Sequence, residues 1–95
     1  MLELEWREAA RVDLLSIVEY IAQDNLDAAL ALVTEIEEKA EQLREQPKLY
    51  RPGRVRGTHE MVVRPNYVVV YSESMIAVTI LRVLHAAQMW PPARS

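Results

Sequence analysis

The side chains in this sequence best placed to do chemistry are cations. Lys48, Arg51, Arg54 and Arg56 crowd into one short stretch around Pro52 and Gly53. A solvated connector is the default for such a cluster, and a contact for an anionic partner is the competing reading. The repeated aromatics of a base-stacking groove are missing, so the cluster does not read as a nucleic-acid channel. Arg54 is the cation to test first. Arg82 differs because it lies between Leu81 and Val83 in an otherwise apolar run. A buried guanidinium without a partner is strongly unfavourable, so Arg82 is expected either to pair with Glu60 or Glu73 or to stand on a sheet face as a contact cation. Glu60 and Arg64 fall on one face of an extended run by the two-residue period, which predicts a partly exposed charge pair. His85, at the end of the same apolar run as Arg82, is expected as a hydrogen-bonded strand-end residue.

Several classes of chemistry are excluded by what is missing. There is no cysteine, which removes disulfides, thiolate zinc sites and cysteine nucleophiles. Gly53 and Gly57 are the only glycines, too few for a phosphate loop or a dinucleotide fingerprint. No cofactor, metal or small-molecule ligand is therefore expected. The acidic start lacks a basic region followed by an apolar one, so no signal peptide is predicted. The longest apolar stretch, around Met75–Trp90, is interrupted by Arg82 and His85, which argues against a membrane span. A cytoplasmic protein is expected.

The net charge of −3 hides two unlike halves. Residues 1–46 hold 12 acidic side chains against 4 basic ones, and residues 47–95 hold 2 against 7. Such asymmetry suggests that the two halves meet different partners. With 95 residues and 51% hydrophobic content, the chain is expected to form a single domain over residues 1–95.

The elements that must position these residues follow from periodicity. Leu2–Trp6 alternates apolar and polar, the pattern of a short strand. Leu14, Ile17, Val18 and Ile21 mark a helix over about residues 7–23. Asn25 then caps a long amphipathic helix, with Ala29, Val33, Ile36, Ala40 and Leu43 on its apolar stripe, ending before Pro47. The short break predicts an antiparallel helical hairpin. Three strands follow the basic connector: Glu60–Arg64, Tyr67–Tyr71 and Ala77–Leu84, with turns at Pro65-Asn66 and Ser72–Ser74. The order β-α-α-β-β-β predicts an α+β fold, a small and mainly antiparallel sheet covered on one face by the hairpin. Both helical stripes are expected in the core, and any groove the hairpin leaves open would suit an amphipathic helix. Met89, Trp90, Pro91 and Pro92 are expected to form an apolar patch that suits a partner.

Taken together, these residues resemble the RelE/ParE superfamily of small bacterial toxins. The resemblance is carried by Trp6, Ala9-Ala10, Asp13-Leu14, Ile17 and Tyr20-Ile21-Ala22. It continues through Gly53-Arg54, Gly57, Glu60, Pro65–Tyr71 and Ile80–His85. The block Arg82–His85, followed by Ala86, Ala87 and Gln88, is most similar to the ParE, or plasmid-stabilisation, branch. The resemblance implies a type II toxin held inactive by a cognate antitoxin with a partly disordered tail. It also implies one of two targets, DNA gyrase for ParE-type members or mRNA in the ribosomal A site for RelE-type members.

RelE-type cleavage needs a base or positioner at the 2′-hydroxyl, cations around the phosphate and an acid for the leaving oxygen. Where that branch carries lysines this chain has Met61, Val62 and Val63, and Val68 follows Tyr67 where an arginine would stand. A second arrangement in the superfamily combines a glutamate, an arginine and a late histidine. On that pattern Glu60, Arg64, Arg82 and His85 are the catalytic candidates if the chain is a metal-independent endoribonuclease. The preferred expectation is a gyrase inhibitor that acts by contact. Arg51, Arg54, Arg56, Arg82, His85 and Trp90 are then the candidate residues for target or antitoxin. A protein that keeps the fold and binds an antitoxin as co-repressor, without toxicity, is the third possibility.

Overall fold

The computed structural model describes residues 1–86. In chain order these form β1 (Glu3–Trp6), α1 (Glu8–Ala22), α2 (Leu26–Gln42), β2 (Arg51–Pro52), β3 (His59–Val63), β4 (Tyr67–Glu73) and β5 (Ala77–His85). The strands make one sheet in the order β1-β5-β4-β3-β2. β1 runs parallel to β5, and every other pair is antiparallel. The expected α+β arrangement of a helical hairpin on a mainly antiparallel sheet is the arrangement found.

The hairpin turns where the sequence breaks. Oδ1 of Asn25 accepts a hydrogen bond from the Ala28 N–H at 2.9 Å and so satisfies a free donor at the start of α2. Beyond the cap, Ala29, Leu32, Ile36, Ala40 and Leu43 are fully or almost fully buried against the sheet. Leu32, not Val33, occupies the second position of that stripe, and Val33 is half-buried. The expected stripe of α1 sits less deeply. Leu14, Ile17 and Ile21 pack at the margin of the core, and Ala10 is the one fully buried residue of that helix. The sheet contributes Met61, Val63, Val69, Tyr71, Val78, Ile80 and Val83.

Two local expectations change. Ser72 and Glu73 continue β4, paired with Thr79 and Val78, and the reversal falls at Ser74–Ile76 instead. Ser74 builds that turn itself: its Oγ accepts from the N–H groups of Ile76 and Ala77, and its own N–H donates to the Ala77 carbonyl at 2.8 Å. The basic connector also contains β2, a two-residue strand against β3 that no sequence period announces.

Tyr71 ties the connector to the core. Its ring is fully buried, and its hydroxyl donates to the Pro47 carbonyl at 2.8 Å. His59 stacks on it at 5.1 Å while its Nδ1 lies 3.2 Å from the Tyr50 carbonyl. Burial pushes the Tyr71 hydroxyl from its ordinary value of 10.0 up to about 12. The unfolded chain therefore releases this proton before the folded chain does. Its contribution to stability is complete below pH 10 and is lost as pH rises through about 12. Chemical denaturation across that window should show stability falling with pH, and Tyr71→Phe should remove the part of the slope due to this group.

Candidate functional site

The connector between β2 and β3 is a fastened loop that presents arginines. β2 and β3 place Arg51 opposite Glu60, whose side chain is only 4% exposed. Glu60 Oε1 accepts from the Arg51 guanidinium at 3.2 Å, and Oε2 accepts from the Arg54 backbone N–H at 2.9 Å. The Gly53 N–H donates to the Thr58 carbonyl at 2.7 Å, and the Thr58 hydroxyl donates to the Val55 carbonyl at 2.6 Å. A Cβ on Gly53 would collide with the Thr58 hydroxyl, so any other residue here would force Thr58 to move from its bond to Val55. The side chains of Arg51 and Arg54 are each 58% exposed, and Arg56 is exposed as well. The backbone is held while the cations face water, a geometry suited to an anionic surface.

Arg82 does not pair with Glu60 or Glu73, as the sequence suggested, but with Asp13 of α1. β5 carries an irregularity here: Val70 is opposite Arg82 and Tyr71 opposite Ile80, so Leu81 is skipped. β1 ends at Trp6, opposite Ile80, and leaves the next part of that edge of β5 without a strand. Asp13 fills the gap. Its Oδ2 accepts from the Val83 N–H at 2.9 Å and from Arg82 Nε at 2.7 Å, and its Oδ1 accepts from the second guanidinium nitrogen at 2.9 Å. Donating to the Asp13 carboxylate raises the Arg82 pKa further, so the guanidinium stays charged.

Arg64 is separated from Glu60. Along β3, Met61 and Val63 face the core while Glu60 and Val62 face the other side. Arg64 then adopts φ 58°, which ends the alternation, and its Nε donates to Glu35 Oε1 of α2 at 2.9 Å. The expected Glu60–Arg64 pair is thus replaced by two pairs, Glu60 with Arg51 and Arg64 with Glu35.

His85 is exposed, opposite Tyr67 and edge-on to its ring at 5.6 Å. It shares a small cleft on the open sheet face with Arg54, Glu60, Val68, Val70 and Leu84. That cleft has about 10 Å³ of accessible volume, room for roughly one water. A larger apolar groove of about 420 Å³ lies along the hairpin, lined by Trp6, Leu14, Leu15, Val18 and Val33. Trp90 lies outside the described residues. Among those described, no helix is long and apolar enough to cross a membrane, and no three His, Asp or Glu side chains gather as a metal site.

Sequence reasoning missed Asp13 as a partner because α1 and β5 meet only in three dimensions. Its one signal is an acidic residue beside Leu14 on an otherwise apolar stripe. Asp13→Ala would remove three hydrogen bonds, two from the Arg82 guanidinium and one from the Val83 N–H, at a cost of about 2–3 kcal/mol. Urea denaturation should show that loss, and Arg82→Met in the same chain should recover part of it.

Comparison with known proteins places this geometry. The family model described as the ParE toxin of the type II toxin–antitoxin system parDE matches residues 4–90. A protein of Sinorhizobium fredii carrying the toxin name Y4kP is 38% identical over 89 residues, 93% of this chain and 92% of that one. Among solved structures, the chromosomal ParDE system of P. aeruginosa aligns with a TM-score of 0.78 at 24% identity, covering 90% of this chain and 96% of that chain. A chain of the Mycobacterium tuberculosis RelBE2 complex aligns at 0.60 with 27% identity, over 88% of this chain and 96% of that one. A chain of the E. coli DinJ–YafQ complex gives 0.65 at 11% identity, over 94% and 97%, a likeness of fold alone. The chain belongs to the family of ParE toxins of type II toxin–antitoxin systems.

Proposed function

We propose that this toxin arrests growth by binding DNA gyrase through surface contact, with no catalytic residues of its own, and that a cognate antitoxin neutralises it. The observation that carries this reading is the dispersal of the nuclease candidates. Glu60 has both oxygens engaged by the arginine loop, Arg64 is drawn to α2, and Arg82 is held by Asp13. None of these three charged groups is poised to act on a 2′-hydroxyl or a scissile phosphate. The pI near 5.3 also suits ribosomal RNA poorly.

Arg51, Arg54 and Arg56 form the proposed contact for the target or for an acidic antitoxin, with His85 beside Arg54 at the same cleft and Trp90 kept as a candidate on its sequence alone. Arg82 acts there by holding β5 in place. The family is that of toxins of type II toxin–antitoxin systems, and the solved RelBE2 chain is part of a toxin–antitoxin complex, which supports an antitoxin partner for this chain. The hairpin groove suits an amphipathic segment of that antitoxin.

A second reading has its own observation. Glu60, Arg54 and His85 line one cleft, the sort of grouping a ribosome-dependent mRNA endonuclease would use. A supercoiling assay with purified protein separates the two. Supercoiling by gyrase should fail as toxin is added in excess, and Arg54→Glu should weaken the effect about tenfold, a loss of one exposed charge contact and its reversal. Gyrase that works normally at high toxin excess overturns the proposal.

A further inference from the structure

β1 is an edge strand, and its outer edge is open in a particular way. Its ladder to β5 uses the odd-numbered residues: the Glu3 N–H donates to the Ile76 carbonyl at 2.9 Å, and the Arg7 N–H donates to the Ile80 carbonyl at 2.9 Å. By the alternation of a parallel ladder, the backbone groups of Leu2, Leu4 and Trp6 point away from the sheet. At Leu2 they are already satisfied. Its N–H donates to the Arg44 carbonyl at 3.2 Å, and its carbonyl accepts from Arg44 Nε at 2.7 Å, so Arg44 closes one end of the edge. Among the described residues nothing bonds the outward groups of Leu4 and Trp6.

The side chains on this edge divide by face. Leu2, Leu4 and Trp6 lie half-buried against the core, and Glu3 and Glu5 stand exposed on the other face. A cleft of about 530 Å³ runs beside the open portion, lined by Leu4, Glu5, Trp6, Arg7, Arg11 and Thr79. Edge strands are usually blunted by a proline, a bulge or a covering element, and β1 has none of these along Leu4–Trp6. Its protection is its shortness, four residues in all, and the exposed carboxylates of Glu3 and Glu5; Arg7 and Arg11 line the cleft only at its α1 end, so the charge beside Leu4 is acidic and selective. A second copy pairing antiparallel through Leu4 would set Glu3 against Glu5 of the other copy twice, which like-charge repulsion disfavours.

We propose that the open edge of β1 is a docking site for an extended segment of a partner protein. That segment would carry lysine or arginine at alternate positions to face Glu3 and Glu5, with apolar residues between them. It would add a sixth strand through the backbone groups of Leu4 and Trp6, with Arg44 as the stop that sets its register. This inference does not depend on gyrase or the ribosome being the target.

The probe is a capped peptide of about seven residues alternating lysine and valine, the length of an ordinary strand. Its counterpart alternates glutamate and valine. Both are titrated into the full-length protein with amide hydrogen exchange as the readout. The lysine peptide should bind and slow exchange at Leu4 and Trp6, while Glu3 and Glu5, already in the ladder, change little. The glutamate peptide should bind at least about tenfold more weakly. The Glu3→Lys, Glu5→Lys double variant should reverse that preference.

The proposal is overturned by equal binding of the two peptides, or by binding that leaves Leu4 and Trp6 unprotected. It is equally overturned if the protein alone forms a dimer that protects those two amides, because the edge would then serve a second copy. None of these results would alter the supercoiling assay, so the two readings fail separately.

Discussion

The carboxylate of Asp13 accepts three hydrogen bonds from residues about seventy positions away in sequence, and much of the molecule is arranged around that junction. β1 stops at Trp6 so that the chain can turn into α1, and this leaves part of the β5 edge without a strand partner. A helix carboxylate closes it. The same carboxylate neutralises the one arginine that the apolar β5 run contains. One acidic residue therefore fixes where α1 lies on the sheet, permits the skipped residue at Leu81, and keeps Arg82 charged without stranding it. Replacing Arg82 alone would leave Asp13 with the Val83 N–H, whereas replacing Asp13 removes all three of these hydrogen bonds at once.

The same logic recurs in the basic half. Arg51 and the Arg54 backbone converge on Glu60, Arg64 reaches Glu35, and His59 lies near Glu73. The pairings Asp13–Arg82 and Glu35–Arg64 each join an acid of the helical hairpin to a cation of the sheet. The acidic and basic halves of the sequence are thus partly stitched together. The outer surfaces still differ: Glu37, Glu38 and Glu45 are exposed on or just beyond α2, and Arg51, Arg54 and Arg56 are exposed on the connector although Glu60 engages the first two. The net charge of −3 is an average over two surfaces that would attract opposite partners.

The sequence made the helical hairpin and the succession of the longer strands along the chain legible because both rest on local periods and on Asn25, Pro47 and Pro65-Asn66, whereas the strand order within the sheet came from the structure. It misplaced what depends on the third dimension. The α2 stripe could be drawn through Val33, but packing put Leu32 in the core and left Val33 lining the groove. Period-two reasoning put Glu60 and Arg64 together, and a single residue at φ 58° sent them to opposite faces. The need of Arg82 for a carboxylate was readable from burial, but its identity was not, because no local pattern brings residue 13 to residue 82. β2 was invisible for a plainer reason: two residues are too few to show a period. The arginine loop was visible as composition, but Glu60 as its anchor emerged only from geometry.

Action by contact is proposed because Glu60, Arg64 and Arg82 are each engaged within the fold, while the arginine loop faces outward. The most direct measurement is primer extension on cellular mRNA after controlled induction of the toxin. If action is by contact, growth stops while transcripts keep their ordinary ends. Codon-linked cuts appearing within transcripts as growth stops would contradict it and would assign the cleft of Glu60, Arg54 and His85 a catalytic role.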